Sequence, residues 1–323
     1  MRYTKPHRPY DQQVRLLASR GLDVGREGDA VRALKRIGYY RLSAYTYPMR
    51  AFTTDDAGNV HRSDDFVAGA CLSDAVALHD FDHRLRRTLL PAIQSLEVAL
   101  RTKVGYHLGK HGPLAHLDCS GLDPQRCNAV WHGLDHARSK YDTWRSEYDS
   151  LQRKADREDY VVHFVTKYDG DVPVWAATEF MTMGCLIGLY RMMQPKDARR
   201  IAEEVGVKNQ QVLFGWLKAL NVLRNHCAHN ARIWNRSTVY PPDKINRRMV
   251  GQELHHLVSA DTNKVYFLTA VLAYLLRHVH PDSRFASDLR TTMGKFPSVL
   301  GWTPESTMGF VEGWLTEELW SIH

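Results

Sequence analysis

The sequence predicts an all-α protein. Apolar residues recur at spacings of three and four over long stretches, most clearly over about 73–109 and 212–223. This period places them on one face of a helix and differs from the alternation of a half-buried strand. Residues that begin or cap helices precede several such stretches, among them Pro173, Pro195 and Asn209. We therefore expect a helical bundle with a small N-terminal helical unit and additional C-terminal helices.

The N-terminal unit is expected to span residues 1–63. Asp11 is a typical helix cap and Gly21 a typical helix end, so a first helix is predicted through Ala18. A second helix is predicted over about 29–37. The polar stretch 53–63 is rich in Asp, Gly and Asn, which is typical of a loop and is compatible with a short hairpin. This stretch is the expected boundary with a larger bundle over residues 64–323.

The larger bundle is expected to be a series of helices. Pro91 interrupts the stretch 73–109, which therefore predicts either one kinked helix or two helices in series. Charged, amphipathic sequence over about 125–168 predicts a protruding helical pair inserted into the bundle. Further helices are predicted over 174–193, from Pro195, after Asn209, and over about 263–279, 284–292 and 305–320.

The charge of the chain favours a polyanionic partner without specifying one. The net charge is +7, and it is uneven along the chain. Residues 1–50 hold eleven Lys and Arg against four Asp and Glu, and residues 218–248 hold seven against one. Two basic patches are typical of a nucleic-acid track, and plain solvated charge is the alternative.

Several classes of protein and site are disfavoured. The five cysteines are scattered without a CxxC pair, which predicts reduced thiols in a cytoplasmic protein. No leader or membrane-spanning apolar run is evident. The absence of a Walker loop, a GxSxG elbow and a paired-carboxylate metal motif argues against nucleotide hydrolysis, esterase chemistry and two-metal nucleases. We expect no metal and no cofactor.

The segment 224–236 carries the chemistry. Asn225 and His229 are four residues apart and share one helical face. Arg224 directly precedes Asn225, and its long side chain can reach a phosphate that His229 contacts. Arginine donates two hydrogen bonds to phosphate oxygens and stays charged, while histidine exchanges protons near neutral pH. Such a pair can promote attack of an RNA 2′-hydroxyl on the adjacent phosphorus, leaving a 2′,3′-cyclic phosphate and a 5′-hydroxyl.

That reaction needs both a general base and a general acid. A two-fold homodimer would supply a second His229 from the partner chain, because an isologous interface brings identical patches together. His226 of the same chain is the competing source. A purely structural motif that caps carbonyls or pairs with a carboxylate such as Glu179 is also compatible with the spacing.

Several blocks of the chain resemble the abortive-infection phage-resistance proteins of the AbiD/AbiF type, which carry a HEPN (higher eukaryotes and prokaryotes nucleotide-binding) ribonuclease domain. The most specific block is the one that contains Arg224 and His229. The blocks are Lys5-Pro6, Gly38-Tyr39-Tyr40-Arg41-Leu42-Ser43-Ala44-Tyr45, Phe81-Asp82-His83-Arg84-Leu85-Arg86, Leu96-Glu97-Val98-Ala99-Leu100-Arg101, Pro173-Val174-Trp175-Ala176-Ala177-Thr178-Glu179-Phe180 with Gly184, and the run from Leu223 to Arg236.

The resemblance implies an all-helical fold, dimerisation, metal-independent RNA cleavage and a growth-arresting role in phage defence. It makes Arg224 and His229 catalytic and gives Asn225 an orienting or polarising role. It also implies a toxin restrained by a partner, either a structured non-coding RNA or another antitoxin. Ala231 stands where nucleotidyltransferase-paired HEPN toxins have tyrosine, which argues against adenylylation there.

Other residues have weaker claims. Glu97 and Arg101 are expected to form an ion pair on one helical face, with Glu179 as a further supporting group. Candidate phosphate contacts, with solvated charge as the alternative, are Arg232, Arg236, Lys244 and Lys218. Two functions are compatible with the sequence: a metal-independent endoribonuclease, and a non-catalytic RNA-binding or protein-interaction scaffold on the same fold.

Overall fold

The structure is a computed structural model that describes residues 2, 4, 6–130 and 138–321. Lys5 and residues 131–137 of the predicted insertion therefore lie outside the described residues. The helices are α1 (Tyr10–Ser19), α2 (Glu27–Ile37), α3 (Tyr39–Thr46), α4 (Leu72–Gly109), α5 (Pro124–Asn128), α6 (Lys140–Lys154), α7 (Asp159–Lys167), α8 (Val174–Phe180), α9 (Met183–Met192), α10 (Pro195–Glu204), α11 (Gln210–Ala228), α12 (Val265–Val279), α13 (Phe285–Met293) and α14 (Pro304–Met308). Two strands, β1 (Arg50–Thr54) and β2 (Val60–Phe66), form a small antiparallel sheet. The predicted all-α class is confirmed.

Helix α4 organises the bundle. Its 38 residues correspond to about 57 Å at ~1.5 Å per residue. It runs as one helix through Pro91, which decides between the two predicted arrangements. Its buried face contacts α3, α8, α11, α12 and α13.

Helix α12 is the most deeply buried helix of the described chain. Residues 265–276 are all buried, because apolar side chains surround the helix instead of forming one stripe. It packs against α4 and α11, so the two helices that carry the candidate site are supported from behind by apolar contacts.

The N-terminal region packs onto this bundle. The predicted hairpin is confirmed: Phe52 pairs with Arg62, and the Asp55 carboxylate accepts hydrogen bonds from the N–H groups of Ala57 and Asn59 in the turn. Buried residues on both sides of the predicted boundary at residue 63 belong to one continuous hydrophobic cluster.

Four sequence expectations were wrong in detail. Helix α1 begins at Tyr10, so Asp11 lies in its first turn and does not cap it. The predicted helix 174–193 is two helices, because Thr182 caps α9 through a hydrogen bond from Cys185 N–H. The predicted pair over 125–168 does not protrude as a whole, since Trp144 and Tyr148 of α6 are buried against the bundle. The predicted helix 305–320 ends at α14 because Gly309 adopts a left-handed conformation with φ of 76°. None of the helices in the described part of the chain combines the length and the apolarity that crossing a bilayer requires.

Candidate functional site

Helix α11 presents the predicted site at its C-terminal end. Asn209 caps its start as predicted, its side chain accepting hydrogen bonds from the N–H groups of Gln211 and Val212. At the other end Asn230 adopts φ of 55°. The N–H of Asn230 donates to the Cys227 carbonyl, and that of Ala231 donates to the His226 carbonyl. This is the hydrogen-bond pattern of a Schellman motif, in which asparagine is a common alternative to glycine.

The motif decides which side chains face solvent. His229 is the C-cap residue of α11, and its side chain is exposed, as is that of Asn225 one turn earlier. Arg224 is half-buried, with 31% of its side chain exposed, and its Nη1 lies 3.5 Å from Asn225 Oδ1. The three predicted catalytic side chains therefore all reach the surface at one end of α11.

A buried carboxylate fastens the chain just after this end. Asp82 of α4 is fully buried and forms an ion pair with Arg86. It accepts hydrogen bonds from the Tyr45 hydroxyl at 2.6 Å and from the backbone N–H groups of Ile233 and Trp234 at 3.2 and 2.8 Å. We call these residues the Asp82 network.

A second carboxylate of α4 lies beside Arg224. Glu97 is 6% exposed, and its Oε1 accepts a hydrogen bond from Arg101 Nη2 at 2.6 Å, which confirms the predicted pair. Its Oε2 lies 3.7 Å from Arg224 Nε. Arg101 also donates to the backbone carbonyls of Thr178 and Glu179 at the end of α8. We call Glu97, Arg101 and Arg224 the Glu97 network.

The Glu97 carboxylate lies beside Arg224 Nε, while 31% of the Arg224 side chain remains exposed to solvent. The Glu97 carboxylate accepts a short charge-assisted hydrogen bond from Arg101, and it attracts the Arg224 guanidinium by its charge across 3.7 Å. The contact between Arg224 and Glu97 joins the end of α11 to α4. No local spacing reveals it, because the two residues belong to different helices.

A family model described as Abi-like protein matches residues 32–235. The chain belongs to this family. No curated protein and no solved structure matches it. Membership of an abortive-infection family supports a role in phage resistance. The matched range contains both carboxylate networks and the end of α11.

Within the Abi-like region, arginines hold the chain that follows α11. Arg41 donates to the Asn230 carbonyl at 2.9 Å, and Arg86 donates to the Ala231 carbonyl at 3.2 Å. Arg232 donates to the Ala44 carbonyl at 2.6 Å, and burial lowers the pKa of its guanidinium. Arg232, a predicted RNA contact, is thus engaged in joining this segment to α3.

The other predicted phosphate contacts are scattered. Lys218 is exposed on α11, with its Nζ 4.0 Å from the ring centroid of Tyr240. Arg236 is half-buried and lies 3.5 Å from the Arg232 carbonyl, and Lys244 is exposed in the following loop. Arg236 and Lys244 lie beyond the matched range of the Abi-like family.

The structure bears on two alternatives that the sequence left open. The carboxylate that contacts Arg224 is Glu97, whereas Glu179 has an exposed side chain and contributes its backbone carbonyl to Arg101. His226 is half-buried and lines a small crevice with Arg236 and with Leu268 of α12. Burial, assisted by Arg236, lowers the pKa of His226.

Proposed function

We propose that this Abi-like protein is a metal-independent endoribonuclease of the abortive-infection type. The observation that carries the proposal is the end of α11, where Asn225 and His229 are exposed and the partly exposed Arg224 forms an ion pair with buried Glu97. A helix C-terminus carries partial negative charge, so a phosphate bound there depends on arginine for its electrostatic stabilisation.

The chemistry assigns one role to each group. A general base removes the proton from the 2′-hydroxyl, and the 2′-oxygen attacks the adjacent phosphorus. The bond from phosphorus to the 5′-oxygen breaks, and a general acid gives that oxygen a proton, which leaves a 2′,3′-cyclic phosphate and a 5′-hydroxyl. His229 performs one proton transfer, and Arg224 stabilises the charge that develops on the phosphorane. Asn225 orients the phosphate or the imidazole.

The second proton transfer is assigned to His229 of a partner subunit. A two-fold arrangement of α11 ends would place two imidazoles and two guanidinium groups around one scissile linkage. Solution scattering on the active protein should therefore report a homodimer. A monomer at concentrations that cleave RNA would contradict the shared site.

The biological role follows from the chemistry and the family. Cleavage of cellular or phage RNA arrests growth of the infected cell and so limits phage spread. A nuclease of this kind has to be restrained in uninfected cells, and we assign that restraint to a partner, either a structured non-coding RNA or another antitoxin.

Cleavage assays with purified protein test the proposal. Wild type should cut RNA in the presence of EDTA and leave cyclic-phosphate ends. His229→Ala should lower the rate by ~10²–10⁴, the usual value of general acid–base catalysis, while still binding RNA. Arg224→Ala should lower the rate as well, because the charge on the phosphorane is then left without its guanidinium. His280→Ala is the matched control, since His280 is likewise an exposed C-cap residue, at the end of α12.

The outcomes separate the candidate functions. Loss of cleavage on adding EDTA would overturn the metal-independent mechanism. Normal cleavage by His229→Ala and Arg224→Ala would overturn the site assignment. RNA binding by wild type without any cleavage would favour a non-catalytic scaffold.

A further inference from the structure

A groove of about 500 Å³ opens between α4 and α8, on the side of the Glu97 network. Arg101 and Glu179 line one part of it, and Tyr106, Lys110 and Trp175 line another. Arg101 belongs to both features: it lines the groove, and its guanidinium contacts the carboxylate that also contacts Arg224. The groove is therefore connected to the proposed catalytic Arg224 through a single residue, Glu97, which contacts both Arg101 and Arg224.

Two glycines of α4 shape this groove. A Cβ at Gly105 would lie 3.0 Å from the Trp175 Cα, and a Cβ at Gly109 would lie 3.1 Å from Cε3 of the Trp175 ring. The helices approach this closely because both positions lack a side chain. The indole ring consequently lies against α4 with its outer part free.

The groove exposes two aromatic rings that the core does not use. Tyr106 is 64% exposed and Trp175 is 53% exposed. Lys110 Nζ lies 4.2 Å from the Tyr106 ring centroid, which keeps a cation at the mouth of the groove. Exposed aromatic rings next to cations are the elements with which proteins hold single-stranded nucleic acids, because bases stack on the rings and cations meet the backbone.

Charge decides how a nucleotide would be oriented here. The carboxylate of Glu179 is exposed at the groove, and it repels a phosphate. Lys110 and the exposed part of Arg224 attract one. A base is therefore favoured inside the groove, and its phosphates are favoured towards the two cations.

We propose that the groove between Tyr106 and Trp175 binds an unpaired base of single-stranded RNA by stacking and so delivers the flanking phosphate to Arg224. The substrate class is single-stranded RNA, since a paired base does not offer its face to a ring. The inference rests on the proposed nuclease function and specifies its substrate. Binding in the groove can nevertheless be measured without cleavage.

A binding cycle with oligonucleotides that cannot be cut tests the inference. The probes are a 2′-O-methyl single-stranded oligonucleotide of mixed sequence and the same backbone without bases. Stacking is worth ~1–3 kcal/mol per base, so wild type should bind the first probe about 5- to 150-fold more tightly than the second. Trp175→Ala should lose most of this ratio, and Trp175→Phe should keep most of it. Tyr106→Ala should lower it as well.

The control is an aromatic residue in a similar setting. Phe52 is 57% exposed, with the Arg62 guanidinium 5.3 Å from its ring centroid, and it lies on the hairpin. Phe52→Ala should bind both probes as wild type does. Thermal unfolding of every variant checks that the fold is retained, and Tyr106→Ala provides the test if Trp175→Ala does not fold.

Each result has one meaning for the groove. An unchanged ratio in both Trp175→Ala and Tyr106→Ala would overturn the inference while leaving RNA cleavage as a separate question. Failure of wild type to bind the base-bearing probe would overturn it too. If the variants turn a dimer into a monomer and bind both probes normally, a second copy of the chain occupies the groove instead. Stacking on Trp175 without any cleavage of unmodified RNA would retain the groove and remove the nuclease.

Discussion

Helix α4 carries two acidic residues that each pair with an arginine four positions later, and the two pairs differ in function. Asp82 and Arg86 are 0% and 3% exposed in their side chains, and protein groups surround the carboxylate on several sides. Glu97 and Arg101 are 8% and 13% exposed, and the further partner of Glu97 is an arginine that reaches the surface.

The difference lies in the third partner of each pair. In the Asp82 network the additional donors are a buried hydroxyl and backbone N–H groups, so the network anchors the chain after α11. In the Glu97 network the additional partner is Arg224, which forms an ion pair with Glu97 and keeps 31% of its side chain exposed to a ligand. The same spacing in sequence therefore produces an anchor in one place and a support for a surface cation in the other.

Breaking the anchor should have the largest effect. Asp82→Asn removes the charge that compensates buried Arg86, so we expect the free energy of unfolding to fall by about 3–5 kcal/mol. Urea denaturation at neutral pH measures the change. Asp80→Asn is the control, because the Asp80–Arg36 pair is exposed and should contribute less than about 1 kcal/mol. Equal losses in the two variants would contradict the distinction between anchor and surface pair.

The stability of variants in the two networks has to be compared above about pH 6.5, because a buried histidine makes stability depend on pH below that value. His116 is fully buried beside the Tyr148 hydroxyl, and burial, with a smaller contribution from Arg145, lowers its pKa from 6.5 to about 4. Between these two values the unfolded chain binds a proton that the folded chain does not bind. Stability should therefore be complete above about pH 6.5 and fall as the pH approaches 4, by on the order of 3 kcal/mol.

Carboxylates titrate in part of the same range, so a variant has to isolate the histidine. The free energy of unfolding of His116→Gln should depend less steeply on pH than that of wild type between pH 6.5 and 4.5. Parallel curves for the two proteins would show that His116 does not cause the loss.

Removing the carboxylate from the Glu97 network should affect cleavage more than stability. Glu97→Gln removes the charge that pairs with Arg224 at 3.7 Å and replaces the charged acceptor of the Arg101 hydrogen bond, and a hydrogen bond to a charged group is worth ~1.5–3 kcal/mol. We expect kcat to fall by about 10- to 100-fold, with a smaller loss of stability than in Asp82→Asn. Glu204→Gln is the control, because Glu204 pairs with Lys103 and His107 elsewhere on α4. A large fall in stability with unchanged kcat would show that Glu97, like Asp82, stabilises the fold and does not support catalysis.

Local sequence patterns predicted those features of the fold that interactions between neighbouring residues determine. The length of α4, the cap at Asn209 and the hairpin turn depend on neighbouring residues, and they were confirmed. The break before α9 also had a local signal, because Thr182 is a good cap inside an otherwise apolar run. The end of α14 at Gly309 had one too, since glycine is the usual residue after a helix.

Contacts between distant segments were beyond such patterns. The spacing of Arg224, Asn225 and His229 identified a helix end, but it did not show that Glu97 would contact Arg224. Nor did it show that Asp82 would bind the backbone of Ile233 and Trp234. Both contacts arise because α4 and α11 pack side by side, which depends on the whole apolar core.

The smallest effect is expected at His226, and it tests which side of α11 is functional. His226 faces α12 and Arg236, away from the Glu97 network, and its lowered pKa leaves it neutral and a poor proton donor at pH 7. His226→Ala should therefore slow cleavage by less than about tenfold, measured beside His229→Ala under the same conditions. A loss as large as that of His229→Ala would place both proton transfers within one chain. The homodimer would then no longer be required by the chemistry, and the face of α11 towards α12 would belong to the active site.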